Sequence, residues 1–226
     1  MMLEEPVSEL TDETVSVLKK ALEEAKIKQD IPEEMLKVLE NDIFIFSQCK
    51  TYIQLKNCMQ LITDLNGDVK PFYKFLKDVR SIHTSYNERY LEAEYNFAVS
   101  ASQMSAKWVN YSDSDKVLLQ YRTVRDDRVR KTHELLDTIT LPKSDPFWDR
   151  YFPPNGWMCR CTVVEVRASK YEITDPLAAR KLGDEATTKI NKKGENTLAI
   201  FRFNPAKKGV LFPPKHPYRA VQNLMP

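Results

Sequence analysis

The chain has 226 residues, of which 42% are hydrophobic and 29% are charged, as in an ordinary globular protein that can bury a core. Its net charge of +2 argues against strong attraction of the whole molecule to nucleic acid or to a membrane surface. The sequence shows no apolar run long enough to cross a bilayer and no secretory leader. We therefore expect a protein that is made in the cytosol and has no membrane partner.

The near-neutral total hides an uneven distribution of charge. Residues 1–40 carry eleven acidic and five basic side chains, a net charge of −6, so the remainder of the chain carries +8. Basic residues are concentrated in 122–131 and 202–219. This asymmetry predicts either contact with an acidic partner or an intramolecular match between the two ends of the chain.

The first half of the sequence has helical periodicity. Thr11 and Pro32 each stand where a helix is expected to begin, followed by apolar residues at helical spacing. Residues 42–46 alternate in polarity and predict a short extended connector. No glycine or proline interrupts residues 72–110, so we expect one long helix, or two with a slight bend, with an aromatic stripe in the core. Residues 1–112 are predicted to form a helical region.

The second half, residues 113–226, mixes short strands, turns and prolines. Residues 117–124 and 158–166 read as strands because apolar and polar side chains alternate along them. The predicted fold class is α+β, with a helical N-terminal half followed by a small, mostly antiparallel domain.

Three further segments follow the second strand. Residues 175–182 predict a short helix and residues 198–203 a third strand. The proline-rich tail, residues 203–220, is expected to run over the surface in an extended form.

Charged residues cluster directly after the first strand. Asp126 or Asp127 is placed to cap the short helix that carries Arg130 and His133, and Arg122 is placed to pair with one of these aspartates. One interpretation is an Arg/Asp network that holds a turn. The other is an anion site for phosphate or carboxylate, because several guanidinium groups lie beside a helix start.

A tight corner precedes the second strand. Two prolines followed by Asn155 and Gly156 predict a sharp reversal of the chain. Strand alternation then places Cys159 and Cys161 on one face and Arg160 on the other. The two cysteines are either small buried residues on a strand face or a pair of thiolate ligands.

The second alternative predicts a metal site. Cys159 and Cys161 would supply two sulfurs and His133 a nitrogen, and zinc accepts such mixed ligand sets. Zinc is therefore the candidate cofactor. A carboxylate is the predicted fourth ligand, from Asp126, Asp127 or Asp149.

The same residues raise the question of catalysis. Arg122, Asp126 and His133 are the candidate catalytic residues, since a cationic group, an acid and a general base occur together. The sequence has no nucleophile elbow and no phosphate-binding glycine loop, and only five glycines in total. These absences argue against an enzyme.

Three stretches of sequence resemble a known family. They are EYNFAVSASQMSAKW at 94–108, YRTVRDDRVRKTH at 121–133 and DPFWDRYFPPNGWMCRC at 145–161, within a resembling region of about 80–167. Their order and spacing are similar to those of the phage Mu F-like minor head proteins, also called head morphogenesis proteins.

The resemblance implies a virion or prophage protein that acts in head morphogenesis through portal or capsid contacts. It would reside in the host cytoplasm during assembly and then in the virion head, and its oligomeric state stays open. Two alternatives remain. One is an enzyme or toxin-like effector, a nuclease or a metal-dependent hydrolase, that uses the Arg/His/Cys cluster. The other is an internal head protein that contacts DNA through 122–131 and 202–219. The expected structural or partner-binding positions are Arg122, Asp127, Arg130, Asn155, Gly156 and Arg160.

Overall fold

The computed structural model describes residues 4–224, and its architecture is α+β. Helices fill the first half, and a small three-stranded antiparallel sheet follows, which confirms the predicted fold class. The α-helices are α1 (Glu4–Lys28), α2 (Glu33–Gln60), α3 (Phe72–Thr84), α4 (Leu91–Asn110), α5 (Lys131–Glu134), α6 (Phe147–Tyr151), α7 (Pro176–Ala186) and α8 (Pro205–Lys208). The strands are β1 (Val117–Arg122), β2 (Thr140–Leu141) and β3 (Thr162–Arg167).

The long helical stretch after residue 72 forms as predicted. A π-helical turn, Ser85–Tyr90, joins α3 to α4 without a break in the helical backbone. The predicted aromatic stripe is buried only in part, however. Helix α4 contributes residues to the core, whereas α3 has no fully buried residue and exposes Phe72. Helix α1 packs against both α2 and α4, so these three helices form the body of the first half.

Two local predictions in the first half are wrong. Helix α1 begins at Glu4, so Thr11 lies inside it rather than at its start. Residues 42–46 belong to α2 and not to a connector, because Leu39, Ile43 and Phe46 are buried at helical spacing. The β-branched and aromatic residues of this segment favour strands only weakly, and packing of the helix on its neighbours prevails.

The sheet has the order β2-β1-β3, with both pairings antiparallel. Leu119 pairs with Leu141 on one side of β1, and Tyr121 pairs with Val163 on the other. Strand β3 begins only at Thr162, so the two cysteines lie in the segment that leads into the strand.

The C-terminal part differs most from expectation. Helix α7 forms where a short helix was predicted. Residues 198–203 form a 3₁₀ turn, Ala199–Phe201, instead of a strand. The tail is not an extended surface segment: it includes α8 and a 3₁₀ helix, Pro217–Leu224, and buries Phe212. Proline-rich composition excluded a long helix but did not exclude burial of the apolar residues between the prolines.

Buried residues fall into two main clusters, and α4 contributes to both. The helical cluster combines α1, α2 and the first part of α4 with the C-terminal tail, and the sheet cluster combines the end of α4 with the sheet and α6. The division of the chain between residues 112 and 113 stays a prediction, since each cluster takes residues from both sides of it. The helical cluster includes Leu18, Leu39, Phe46, Phe97, Phe201 and Phe212, and the sheet cluster includes Trp108, Leu119, Tyr121, Leu141, Trp148 and Val163.

Three buried charged groups lie in the helical half and have partners within the chain: Asp42, Lys50 and Glu94. The Lys50 ammonium donates to the Glu94 carboxylate at 2.5 Å. Asp42 accepts from the backbone N–H groups of Leu211 and Phe212 and from the Arg219 guanidinium. The tail is thus held to α2 by hydrogen bonds as well as by apolar contacts.

None of the helices between residues 4 and 224 has the length and apolar composition that a membrane span requires.

Candidate metal centre

The first element of the site is the short helix α5, which carries His133. The His133 N–H donates to the Arg130 carbonyl at 2.8 Å, and the imidazole is buried. No side chain caps this helix, so the predicted cap by Asp126 or Asp127 is wrong. Asp126 instead accepts from the Arg128 N–H within the preceding turn, at 3.1 Å.

The second element is the corner formed by residues 153–158. The Tyr121 hydroxyl donates to Asn155 Oδ1 at 2.8 Å, and both groups are fully buried. Gly156 has φ +151°, and its carbonyl accepts from the Cys159 N–H at 3.2 Å. Arg130 donates to the Trp157 carbonyl at 2.5 Å, which ties the corner to the start of α5. The corner therefore fixes the backbone from which both cysteines project.

The two elements bring His133, Cys159 and Cys161 together. The Nδ1 atom of His133 lies 3.8 Å from the Cys159 sulfur and 3.6 Å from the Cys161 sulfur. The ligand atoms of all three residues lie within 4.8 Å of one another. The three side chains are 2%, 4% and 9% exposed, while the intervening Arg160 is exposed, so the predicted alternation of faces holds before the strand begins.

The two sulfurs are free thiols that influence each other. The Cys161 thiol donates a hydrogen bond to the Cys159 sulfur, which, with His133 alongside, holds the pKa of Cys159 well below its ordinary value. The same hydrogen bond, together with burial, raises the pKa of Cys161. The pair thus releases one proton readily and retains the second. The Nε2 atom of His133 is buried and has no hydrogen-bond partner among the described residues.

An open pocket of about 430 Å³ reaches these three residues. Its lining is basic on one side, where Arg128, Arg130 and Arg160 contribute, and includes Glu24 from α1. The guanidinium of Arg160 forms a bidentate pair with Asp126, at 2.7 and 2.8 Å. The pocket therefore gives solvent a route to the buried His/Cys cluster, past a border of positive charge.

Several predicted residues have other positions than expected. Arg160, rather than Arg122, forms the bidentate pair with Asp126, and within residues 4–224 Arg122 has no ion pair. Asp127 is exposed. Of the candidate catalytic residues Arg122, Asp126 and His133, only His133 belongs to the buried cluster.

No predicted fourth ligand joins the set. Within the described part of the chain, the cluster contains His133, Cys159 and Cys161 and no carboxylate. Asp126 is committed to Arg160, and Asp149 forms an ion pair with Lys207. The described residues thus bring three potential ligand atoms together, and no fourth side chain of the predicted set joins them.

Sequence reasoning missed Tyr121 and the pocket residues contributed by the helical half. The alternation that places Leu119 on the core face of β1 also places Tyr121 there, and a buried tyrosine hydroxyl needs a partner. Its partnership with Asn155 could have been found from that argument. Glu24 and Ser100 line the pocket from α1 and α4, and no local pattern marks them for it.

Comparisons with known proteins match the segment of the chain that contains this site. Residues 66–164 match the family model described as "Phage Mu protein F like protein". The chain is 30% identical over 115 residues to "Putative capsid assembly protein F" of Escherichia phage Mu, a match covering 49% of this chain and 23% of that protein. It is 41% identical over 44 residues to "Mu-like prophage FluMu F protein" of Haemophilus influenzae, covering 20% of this chain and 11% of that protein.

The chain therefore spans less than a quarter of the length of these curated relatives. No solved structure matches the chain. The matched residues contain α4, β1, α5 and the corner, together with His133, Cys159 and Cys161. In this segment, the chain is similar to the Mu F-like family.

Proposed function

We propose that the chain is a phage head protein that acts in capsid assembly, first in the host cytoplasm and then as part of the virion head. The observation that carries this proposal is the 30% identity over 115 residues with a protein named for capsid assembly. The similarity includes the densest sequence motifs of the chain, which form one buried site and its supporting corner. A portal or capsid protein is the proposed partner.

We further propose that the helical half provides the docking surface. Four apolar side chains within residues 65–73 are between 69% and 106% exposed, and we call this group the apolar tip: Leu65, Val69, Phe72 and Tyr73. The tip lies where α2 gives way to α3, away from both core clusters. Exposed apolar residues grouped in this way are typical of protein interaction sites.

The ion pairs of the chain weigh in part against DNA binding. Four of the ten Lys and Arg residues in the two candidate stretches have acidic partners within the chain. These pairs are Arg125 with Asp137, Arg202 with Asp184, Lys207 with Asp149 and Arg219 with Asp42. Phosphate contacts at these four positions would have to replace existing ion pairs. The enzyme alternative has no further support, because Arg122 and Asp126 do not join the His133 cluster.

The test of the proposal is a phage or lysogen in which the gene for this chain carries an early stop codon. We expect a loss of infectious particles and of DNA-filled heads in electron micrographs, with recovery when the wild-type chain is supplied in trans. Mass spectrometry of purified wild-type virions should detect the chain. Normal, DNA-filled heads in its absence would overturn the proposal.

The docking surface has its own test, in which the chain is supplied with Leu65→Asp and Phe72→Asp together. We expect folded protein that no longer restores head assembly, because two charges replace the centre of an apolar contact. Leu177→Asp is the matched control, since Leu177 on α7 is 72% exposed and lies outside the apolar tip. Equal complementation by both variants would exclude the apolar tip as the docking surface without touching the proposed role in the head.

A further inference from the structure

The buried cluster of His133, Cys159 and Cys161 has the dimensions of a zinc site. Zinc–sulfur bonds of about 2.3 Å and zinc–nitrogen bonds of about 2.1 Å place a sulfur and a nitrogen roughly 3.6 Å apart in a tetrahedron. The two distances from His133 Nδ1 to the sulfurs are 3.6 and 3.8 Å. Both nitrogen–sulfur distances therefore match those of a tetrahedral zinc site, and all three ligand atoms lie within 4.8 Å of one another.

We propose that His133, Cys159 and Cys161 bind one zinc ion, with the fourth coordination position open to the adjoining pocket. The ligand set consists of two thiolates and one neutral imidazole, which suits zinc better than calcium or magnesium. When zinc binds, any thiol protons that the two cysteines still carry pass to solvent. The ion joins α5 to the segment that leads into β3, elements that are 26 residues apart along the chain.

Burial of these residues without a metal is the competing explanation. In that case the imidazole is held by two sulfurs alone, because Nε2 has no hydrogen-bond partner among the described residues. A polar atom buried in this way costs about 1–3 kcal/mol. A zinc bond at Nδ1 leaves Nε2 as it is, so the metal is favoured by the convergence of the three ligand atoms and not by relief of this cost.

The ligands are also positioned before any metal arrives. The Cys159 N–H is bonded to Gly156, the His133 N–H to Arg130, and Arg130 in turn to the corner through Trp157. Each ligand therefore projects from backbone fixed by its own hydrogen bonds. Preorganisation of this kind reduces the entropy lost on binding and raises affinity.

The fourth position distinguishes this site from a closed structural one. Structural zinc sites take four protein ligands, while sites with three protein ligands keep a water or a substrate group in the fourth position. Here no described carboxylate joins the set, and the pocket lined by Arg128, Arg130 and Arg160 reaches all three ligands. We expect water there, replaceable by a small anion that the arginines attract.

The first measurement is the metal content of the purified full chain. We expect about one zinc per chain, as tetrahedral sites of this kind hold a single ion. Cys159→Ser and Cys161→Ser should lower zinc affinity by more than about tenfold, the loss seen when even supporting residues of a metal site are removed. Cys58→Ser is the matched control, because Cys58 is a free thiol outside the cluster, and it should retain the metal.

Cobalt provides a second measurement that does not depend on whether the variants fold. Wild-type protein freed of zinc by a chelator is titrated with Co²⁺ alone. We expect saturation at about one ion per chain, with the intense visible bands of tetrahedral cobalt and a thiolate charge-transfer band. If the wild-type chain neither purifies with zinc nor gives these bands, the metal site is excluded. Equal loss of metal in Cys58→Ser would also overturn the assignment of ligands.

Azide tests the open position on the same cobalt-loaded protein. Azide that replaces a coordinated water should shift the visible bands, and Arg128→Ala should weaken azide binding, because one positive charge at the pocket border is lost. Unshifted bands at saturating azide would mean a closed site with four protein ligands. That result would overturn the open position while leaving the zinc itself to be judged by the metal content.

Discussion

The helical cluster and the sheet cluster differ in how their buried polar groups are paired. In the helical cluster, the charged groups neutralise one another: Lys50 and Glu94 are 2.5 Å apart, with side chains 0% and 3% exposed. Asp42 is likewise bonded to the tail and to Arg219. The sheet cluster buries an imidazole whose Nδ1 lies 3.8 and 3.6 Å from two thiol sulfurs. In the first region the buried charges have partners within the chain. The second region brings together three side chains that could bind a metal ion.

This difference predicts different responses to mutation. In the helical cluster a single change leaves a buried charge without its partner, so stability should fall sharply. In the sheet cluster, changes should affect metal content more than the stability of the metal-free chain. Both regions take residues from α4, so a mutation in either region acts on the same connected structure.

The largest expected effect is that of Glu94→Leu. Removal of the carboxylate leaves the Lys50 ammonium buried without a counter-charge, which should lower the free energy of unfolding by about 3–5 kcal/mol. Urea unfolding followed by circular dichroism measures the change. The double variant Lys50→Met with Glu94→Leu should recover most of the loss, since buried ion pairs are replaced by apolar residues at little cost. A double variant as unstable as the single one would show that packing, and not the charge, accounts for the loss.

Acid should destabilise the helical cluster through His216. Burial, with Arg219 and Lys50 nearby, lowers the pKa of His216 to about 4 from the ordinary 6.5, and its Nδ1 accepts from the Tyr218 N–H. The unfolded chain therefore takes up the proton first as the pH falls. The stability present above pH 6.5 should decrease between pH 6.5 and 4 by about 3 kcal/mol in total.

Urea unfolding at several pH values measures this effect. His216→Asn is the matched variant, because its amide oxygen can accept from the same N–H and does not titrate. We expect the variant to lack the part of the pH dependence that lies above about pH 5, where carboxyl groups contribute little. A wild-type slope retained in His216→Asn would assign the acid sensitivity to other groups.

Asp42→Asn is expected to have an intermediate effect. The substitution removes the charge that faces Arg219 and leaves one acceptor for the N–H groups of Leu211 and Phe212. Charge-assisted hydrogen bonds contribute about 1.5–3 kcal/mol each, and the amide retains part of this, so we expect a loss of about 2 kcal/mol. Limited proteolysis should cut the tail more rapidly. Asp184→Asn, at an exposed ion pair with Arg202, is the control and should leave the cleavage rate unchanged.

The sequence predicted those features that depend on local pattern. Helical spacing and the absence of glycine and proline gave the helix from residue 72 onwards, and alternation gave β1 and the shared burial of Cys159 and Cys161. Residue chemistry alone selected His133 as the companion of the two cysteines, and the structure brings the three together.

Features that depend on distant contacts were not predictable. Whether residues 42–46 form helix or strand depends on what they pack against, and Phe46 stacks on Phe212 from the far end of the chain. The pairing of Lys50 with Glu94 joins residues 44 positions apart, and the pairing of Asp126 with Arg160 joins residues 34 apart. Arg122 and Arg160 offer Asp126 the same guanidinium group, so only the fold determines which of them forms the ion pair.

The smallest expected effect is that of Tyr121→Phe, in the sheet cluster. The change leaves the buried Oδ1 of Asn155 without its donor, so we expect a loss of about 1 kcal/mol in urea unfolding. Tyr171→Phe, at an exposed position, is the control and should have no effect. Because Tyr121 supports the corner and is not one of the proposed ligands, the variant should keep its zinc. If Tyr121→Phe also loses zinc, the corner and the metal centre form one unit, and the sheet cluster depends on its hydrogen bonds as closely as the helical cluster depends on its ion pairs.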